Sequence, residues 1–528
     1  INSKTMKQIS NLLLIMCVTS CCLLHAQHRT TPIMGWSSWN TYHVNISDSL
    51  IKKQTDTMVA LGLDKLGYTY INIDDGFFGH RDSCGNMIPH PTRFPNGMKP
   101  IADYIHSKGL KAGIYSDAGY VTCGSIYDND HNGIGAGLYG HEQQDAQLYF
   151  NKWGFDFIKI DYCGAGTELD LEEQERYSTI CKAIDDTGRN DVEINICRWA
   201  FPGTWAANLA ASWRISSDIR PKWNSVRNII AKNMPLSAYC RGGHFNDMDM
   251  LEISRGLKEG EERVHFGMWC MMSSPLLIGC DLSKIRPSSL ALLKNQELIA
   301  INQDSLALQA YPVVAHDSTY VLVKDIIARR GTTRAVALYN SANTERRISV
   351  PLSDLELNGK TRLHNVFTHT DLKATSDSIT ATIPAHDILI LKATAKHRIE
   401  PTRYEAEWAY LPLYNDLGKR KREILYSHDD KASCGMLVTR GGGFAANSII
   451  WDNVWSDNGG SYTITLFIKP NKNRGIIAYV NGVAHKLHVD NSQQISFSTT
   501  LSKGNNKIEL THPTMWMPDI DKIELNKQ

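Results

Sequence analysis

The stretch that most constrains the fold covers residues 155–164, an apolar, β-branched run that ends on Lys159-Ile160-Asp161 and breaks at Gly164. A short apolar run between turn residues reads as a strand covered on both faces. The C-terminal end of such a strand is where α/β barrels carry reactive side chains. Lys159 and Asp161 lie two apart and share a face, so the ammonium is placed to keep the carboxylate ionised. A buried structural ion pair has the same pattern. The unit recurs: strands are expected around residues 32–40, 68–76, 110–117, 192–197, 212–218 and 243–247, with an eighth within 274–279 and helical segments between them. The Ser47 hydroxyl is placed to cap the first helix, and further helices are expected near residues 101–108 and 143–153. Strands alternating with helices over about 280 residues predict a closed (β/α)8 barrel. Several strands end in carboxylate, aromatic or basic residues, which fits a barrel mouth better than the single crevice of an open doubly wound sheet.

A chain of 528 residues is too long for one core. From about Leu308 alternating strands replace the helices, predicting a small antiparallel β domain over 309–396; after a polar linker, a jelly-roll β-sandwich is expected over 403–528. The barrel is assigned to 29–308. Lys4 and Lys7 precede a short apolar run, so residues 1–26 read as an export signal, with cleavage after Ala26 or lipid attachment at Cys21 as the alternatives. Either places the protein in the periplasm, at the cell surface or outside the cell. A formal charge of +1 gives no reason to expect nucleic acid, and no membrane span is expected; an uncharged substrate fits better. Twelve Trp and 21 Tyr supply flat apolar faces of the kind sugars stack on.

Two carboxylates on different strands are the minimum for glycoside hydrolysis, and Asp218, after Trp213-Arg214, is the partner expected for Asp161; a separation near ~5 Å makes such a pair retaining. The rival chemistry is metal-dependent hydrolysis, with Asp74, Asp75, Asp117, Asp247 and Asp249 as ligands. No His-x-His pair stands at a strand end, so no catalytic metal is expected.

In order along the chain, Met34-Gly35-Trp36-Ser37-Ser38-Trp39-Asn40, Asn72-Ile73-Asp74-Asp75-Gly76, Gly113-Ile114-Tyr115, Lys159-Ile160-Asp161, Trp213-Arg214 with Asp218, Asn246-Asp247-Met248-Asp249-Met250 and Ser274-Pro275-Leu276-Leu277-Ile278-Gly279 resemble the family 27 glycoside hydrolases, the α-galactosidases and α-N-acetylgalactosaminidases. The resemblance implies a retaining mechanism on a barrel, with Asp161 as nucleophile and Asp218 as acid/base. It implies that Asp74 and Asp75 grip the sugar's O4 and O6, that Lys159 and Arg214 bind ring hydroxyls, and that Trp39, Tyr115, Asp249 and Met250 form pocket walls. It also implies a disulfide between Cys123 and Cys163. Where the family has Cys-Glu-Trp near the sugar's 2-position, this chain has Cys197-Arg198-Trp199, which bears on the 2-substituent. Gly76-Phe77-Phe78 also departs from the family pattern.

Residues 404–407, 460–464 and 521–525 resemble jelly-roll carbohydrate-binding modules. In these, residues placed as Glu405, Glu407 and Asp521 hold a structural calcium. No catalytic cofactor is implied. The expectation is an exported, retaining exo-α-galactosidase acting on carbohydrates with terminal α-galactose. α-N-acetylgalactosaminidase and β-L-arabinopyranosidase activities are the alternatives on the same scaffold, and a non-catalytic sugar-binding protein is the alternative of another class.

Overall fold

In the computed structural model of the protein, residues 30–528 are described apart from 168, 418–423, 441, 445–446 and 472. The expected export signal lies outside the described residues. Eight parallel strands form one curled sheet: β1 (Met34–Ser37), β2 (Tyr70–Asn72), β3 (Lys111–Asp117), β4 (Phe157–Asp161), β5 (Glu193–Ile196), β6 (Ser212–Arg214), β7 (Phe245–Asp247) and β8 (Leu276–Ile278). β1 pairs with both β2 and β8. Beyond β7, Leu251 forms a parallel bridge to Ile278, and its N–H reaches Leu277 O at 2.7 Å, so the ring closes. Nearly every strand residue is buried, as parallel strands covered by helices require.

The strands are shorter than the apolar runs that announce them. β2 stops at Asn72, so Asp74 and Asp75 stand on the loop beyond it, and β1 stops at Ser37, leaving Trp39 to start a helical turn over Trp39–Tyr42. Ser47 caps the helix Asp48–Ala60, its hydroxyl accepting from Leu50 N at 3.3 Å. The helix expected near residues 143–153 begins as Glu142–Ala146 and widens to a π-helix over Gln147–Lys152. Gly113 has a steric reason: a Cβ there would lie 1.9 Å from Asn72 Oδ1, so glycine makes room for that amide.

A six-stranded antiparallel sheet follows, and its strand Thr333–Asn340 divides its side chains by period two. Ala335, Ala337 and Tyr339 join the barrel core, whereas Val336 and Leu338 join a separate core with Ile348, Val350 and Leu391. Further on, a sheet containing Gly460–Lys469 and Asp519–Lys527 faces a four-stranded sheet around a third core that includes Trp451, Ile464 and Ile508, which makes an antiparallel sandwich. Among the described residues no helix is long and apolar enough to cross a membrane.

Candidate active site

The C-terminal ends of the barrel strands converge on a group of charges. Lys159, on β4, points its Nζ at Asp161 Oδ2 (3.6 Å) and at Asp74 Oδ2 (3.3 Å), and sits 5.3 Å from the centre of the Tyr115 ring. Burial works against the Lys159 ammonium, yet Asp161 and Asp74 together hold its pKa well above the lysine value. Asp161 is itself only 4% exposed, and its Oδ1 is buried without a hydrogen-bond partner. Burial pushes the Asp161 carboxyl above the ordinary aspartate value; Asp74 and Asp218 push the same way, while Lys159 and the Cys197 thiol pull it down. The sequence pattern credits Lys159 with keeping Asp161 ionised. In the folded protein Lys159 moderates, and does not overcome, the cost of burying the carboxylate.

Across the mouth, Arg214 at the end of β6 reaches Asp249 Oδ2 at 2.6 Å and Asp218 Oδ1 at 3.0 Å. Its Nη1 lies 3.7 Å from Cys197 Sγ. Asp249 takes a positive φ of 79° and accepts from Ile219 N at 2.8 Å, so it also ties down the loop just past Asp218. Burial raises the Asp249 carboxyl to about 6, against the pull of Arg214. Asp218 differs from the other acids here: it stands in the loop after β6 with its side chain 60% exposed. A cavity in the upper barrel brings together Asp74, Lys159, Arg214, Asp249 and Met250. Trp39 is half-buried and packs in the apolar patch that contains Met250.

Several candidate residues also have partners within the protein. Asp75 gives its oxygens to backbone, accepting from Gly124 N at 2.7 Å and Gly76 N at 2.8 Å, and burial lifts its pKa to about 7. Arg198 is paired with Glu173 (3.2 Å) and lies 5.3 Å from the Tyr162 ring centre, while Trp199 takes φ 56° and packs on the core. The Tyr115 hydroxyl accepts from Cys123 N at 3.3 Å.

Cys123 and Cys163 form a disulfide, with Cα atoms 5.3 Å apart. It pins the start of the helix Cys123–Tyr127 to a residue two past Asp161, and places Cys123 Sγ 3.2 Å from Asp161 Oδ2. Asp117 lies beneath, accepting from the N–H groups of Cys163, Gly164 and Gly119 at 2.7, 3.0 and 2.7 Å; burial raises its pKa to about 8. Asp117 and the two cysteines are close enough to hold a metal, but both sulfurs are committed to each other.

The sequence reading gave no site role to Asn72, Asn195 or Glu173. Asn72 and Asn195 line the same cavity, and Asn195 donates to Asp247 Oδ2 at 2.9 Å. Asn72 opens the motif Asn72-Ile73-Asp74-Asp75-Gly76 and Asn195 lies near the C-terminal end of β5, so motif membership and strand-end position were the available signals. Glu173 starts a helix far from the motifs and left no such trace.

A family model described as "Alpha galactosidase A" matches residues 31–304, and one described as "Alpha galactosidase C-terminal beta sandwich domain" matches residues 325–393. The chain is 37% identical to alpha-galactosidase 2 of Arabidopsis thaliana over 67% of its own length and 87% of that protein. It is 40% identical to alpha-galactosidase A of Cellvibrio japonicus over 57% of its own length and 74% of that protein. The solved structure of α-galactosidase I from Mortierella vinacea superimposes with a TM-score of 0.64 at 30% identity, covering 70% of this chain and 98% of that one. With the first family model spanning more than half its length, the chain belongs to the α-galactosidases of glycoside hydrolase family 27.

Proposed function

We propose that the protein is an exported, retaining exo-α-galactosidase. The observation that carries this reading is Asp161: a buried carboxylate on β4, with one oxygen unpartnered and the other beside Lys159. Asp161 attacks C1 of a terminal α-galactosyl group, forming an ester bond as the bond from C1 to the leaving oxygen breaks; Asp218 gives that oxygen a proton. Water then attacks C1, releasing Asp161, and Asp218 takes the proton back. An exposed loop carboxylate beside Arg214 suits a group that meets both the leaving group and water. Asp74 and Lys159 are placed to hold the sugar hydroxyls, and the retained Asp74 favours a sugar with an O6 hydroxyl over an arabinopyranose. The disulfide beside the site supports an oxidising, extracytoplasmic location. A panel of nitrophenyl α- and β-glycosides tests the reading: hydrolysis of the α-galactoside with initial release of α-galactose supports it, and selective hydrolysis of any other glycoside overturns it.

We also propose that the C-terminal sandwich is a carbohydrate-binding module steadied by a hard cation. Glu405, Glu407 and Asp521 are mutually repulsive; burial raises Glu405 to about 7 and pushes Glu407 well above its ordinary value. Both oxygens of Glu407 are buried without a hydrogen-bond partner, and a bound cation would neutralise that repulsion. Chelator is expected to lower Tm while leaving hydrolysis of a small aryl galactoside unchanged below the transition. Identical melting with calcium and with chelator would remove the cation from the account.

A further inference from the structure

The segment between β5 and β6, residues 197–211, carries no α-helix, and its regular structure is one 3-10 turn, Thr204–Asn208. It begins with Cys197-Arg198-Trp199, the wall at which this chain departs from its family. A connection with no helix of its own leans on its surroundings to hold such a wall in one place. Part of that support comes from the C-terminal module.

Phe201, only two residues past Trp199, is 1% exposed. Its ring is stacked on Tyr414 of the module, with centroids 5.4 Å apart and planes 23° apart, and it contacts Tyr239 of the barrel at 4.6 Å. The backbones are joined as well: Asp416 N donates to Phe201 O at 2.8 Å, and the Thr204 hydroxyl donates to Pro412 O at 2.8 Å. Gly203 between them takes φ 127°, a conformation that lets the loop turn against the module. The module side is fixed in turn, because the Tyr239 hydroxyl donates to Leu411 O at 3.2 Å and lies 3.1 Å from the Tyr426 hydroxyl. Lys232 adds a 3.4 Å ion pair to Asp416.

We propose that residues 410–416 of the C-terminal module are a positioning element of the sugar pocket. By holding Phe201 and Thr204 they set the place of Arg198 and Trp199, so recognition at the sugar's 2-position depends on a docked module. Tyr414 is then a positioning residue and not a catalytic one. The inference rests on the galactosidase reading above and on the family resemblance that sets Cys197-Arg198-Trp199 near the sugar's 2-position.

The test compares Tyr414→Ala, Tyr414→Phe and Thr204→Val with wild type, using nitrophenyl α-galactoside and its 2-deoxy analogue. Arg329→Ala serves as control, since it removes a different module contact, the 2.6 Å bond to Asn453 Oδ1, and touches nothing in the β5 loop. Tyr414→Ala is expected to raise KM for the galactoside by about fivefold with kcat within about twofold, the pattern of lost binding without lost chemistry. It should also bring the ratio of kcat/KM for the two substrates several-fold closer to one. Tyr414→Phe keeps the ring stack and wild-type behaviour, and Arg329→Ala leaves KM and the ratio unchanged. If Tyr414→Ala does not fold, Thr204→Val, which loses one hydrogen bond, is expected to give the same change in ratio at smaller size. Unchanged KM and ratio in folded variants overturn the inference, as does an equal change in Arg329→Ala. A wild-type enzyme inactive on the galactoside would instead contradict the galactosidase reading itself.

Discussion

The two ends of the site solve the problem of placing a carboxylate in opposite ways. At β4, Asp161 is carried by a strand, buried, pressed by Asp74 and Asp218, and held by one lysine. At β6, Asp218 is carried by the following loop, largely exposed, and tethered through Arg214. The difference teaches that environment can assign roles to like residues. A strand-held carboxylate has one geometry and a pKa set by its neighbours, which suits a nucleophile. A loop-held one can exchange protons with solvent and leaving group, which suits an acid/base.

The largest break in this contrast should come from truncating each acid. Asp218→Ala is expected to lose about 10²- to 10⁴-fold in kcat on a poor leaving group, and much less on nitrophenyl, which needs little protonation. Asp161→Ala should lose at least as much on both, and azide should restore part of its activity as an inverted glycosyl azide. Leaving-group independence in Asp218→Ala, or dependence in Asp161→Ala, would reverse the roles.

Next in size, the strand side should resist added volume. Gly113→Ala is expected to destabilise the fold by about 1–3 kcal/mol in urea unfolding, because its Cβ must displace the Asn72 amide. Unchanged stability would mean that the β2 and β3 ends yield as readily as a loop.

A smaller effect sharpens the electrostatic half of the comparison. In the proposed role as nucleophile Asp161 acts ionised, so kcat/KM should fall as pH drops through its pKa. Lys159 holds that pKa down against burial, so Lys159→Met should move the acid limb to higher pH. No shift, or a shift to lower pH, would assign the limb to another group.

The smallest effect is expected at Arg198. Wild type should cleave the α-galactoside faster than the α-N-acetylgalactosaminide, and Arg198→Glu, which sets an acid against the buried Glu173, should narrow that preference and lower Tm. Faster wild-type cleavage of the acetamido sugar would refute the assignment of the 2-position.

Much of this architecture was legible in the sequence because buried parallel strands write continuous apolar runs. The run ending at Asp161 marked β4, and recurrence of the unit marked a barrel. What stayed hidden was what tertiary contact decides. The motif around Asp74 and Asp75 treats the two as a pair, but only the fold reveals that Gly124 N claims Asp75. Spacing placed Lys159 beside Asp161, while the balance between that ammonium and burial depends on three other strands. Arg198 was visible as a departure, and its partner Glu173 was not, since the two meet only when the β4 and β5 loops are packed together.

The central claim is that Asp161 forms the bond to the sugar. Incubating the enzyme with a fluorinated α-galactosyl substrate whose glycosyl-enzyme hydrolyses slowly, followed by proteolysis and mass spectrometry, tests it directly. The account predicts one added fluorogalactosyl group on the peptide containing Asp161 and none on the peptide containing Asp218. An adduct on Asp218, or turnover that releases β-galactose without any adduct, would contradict it.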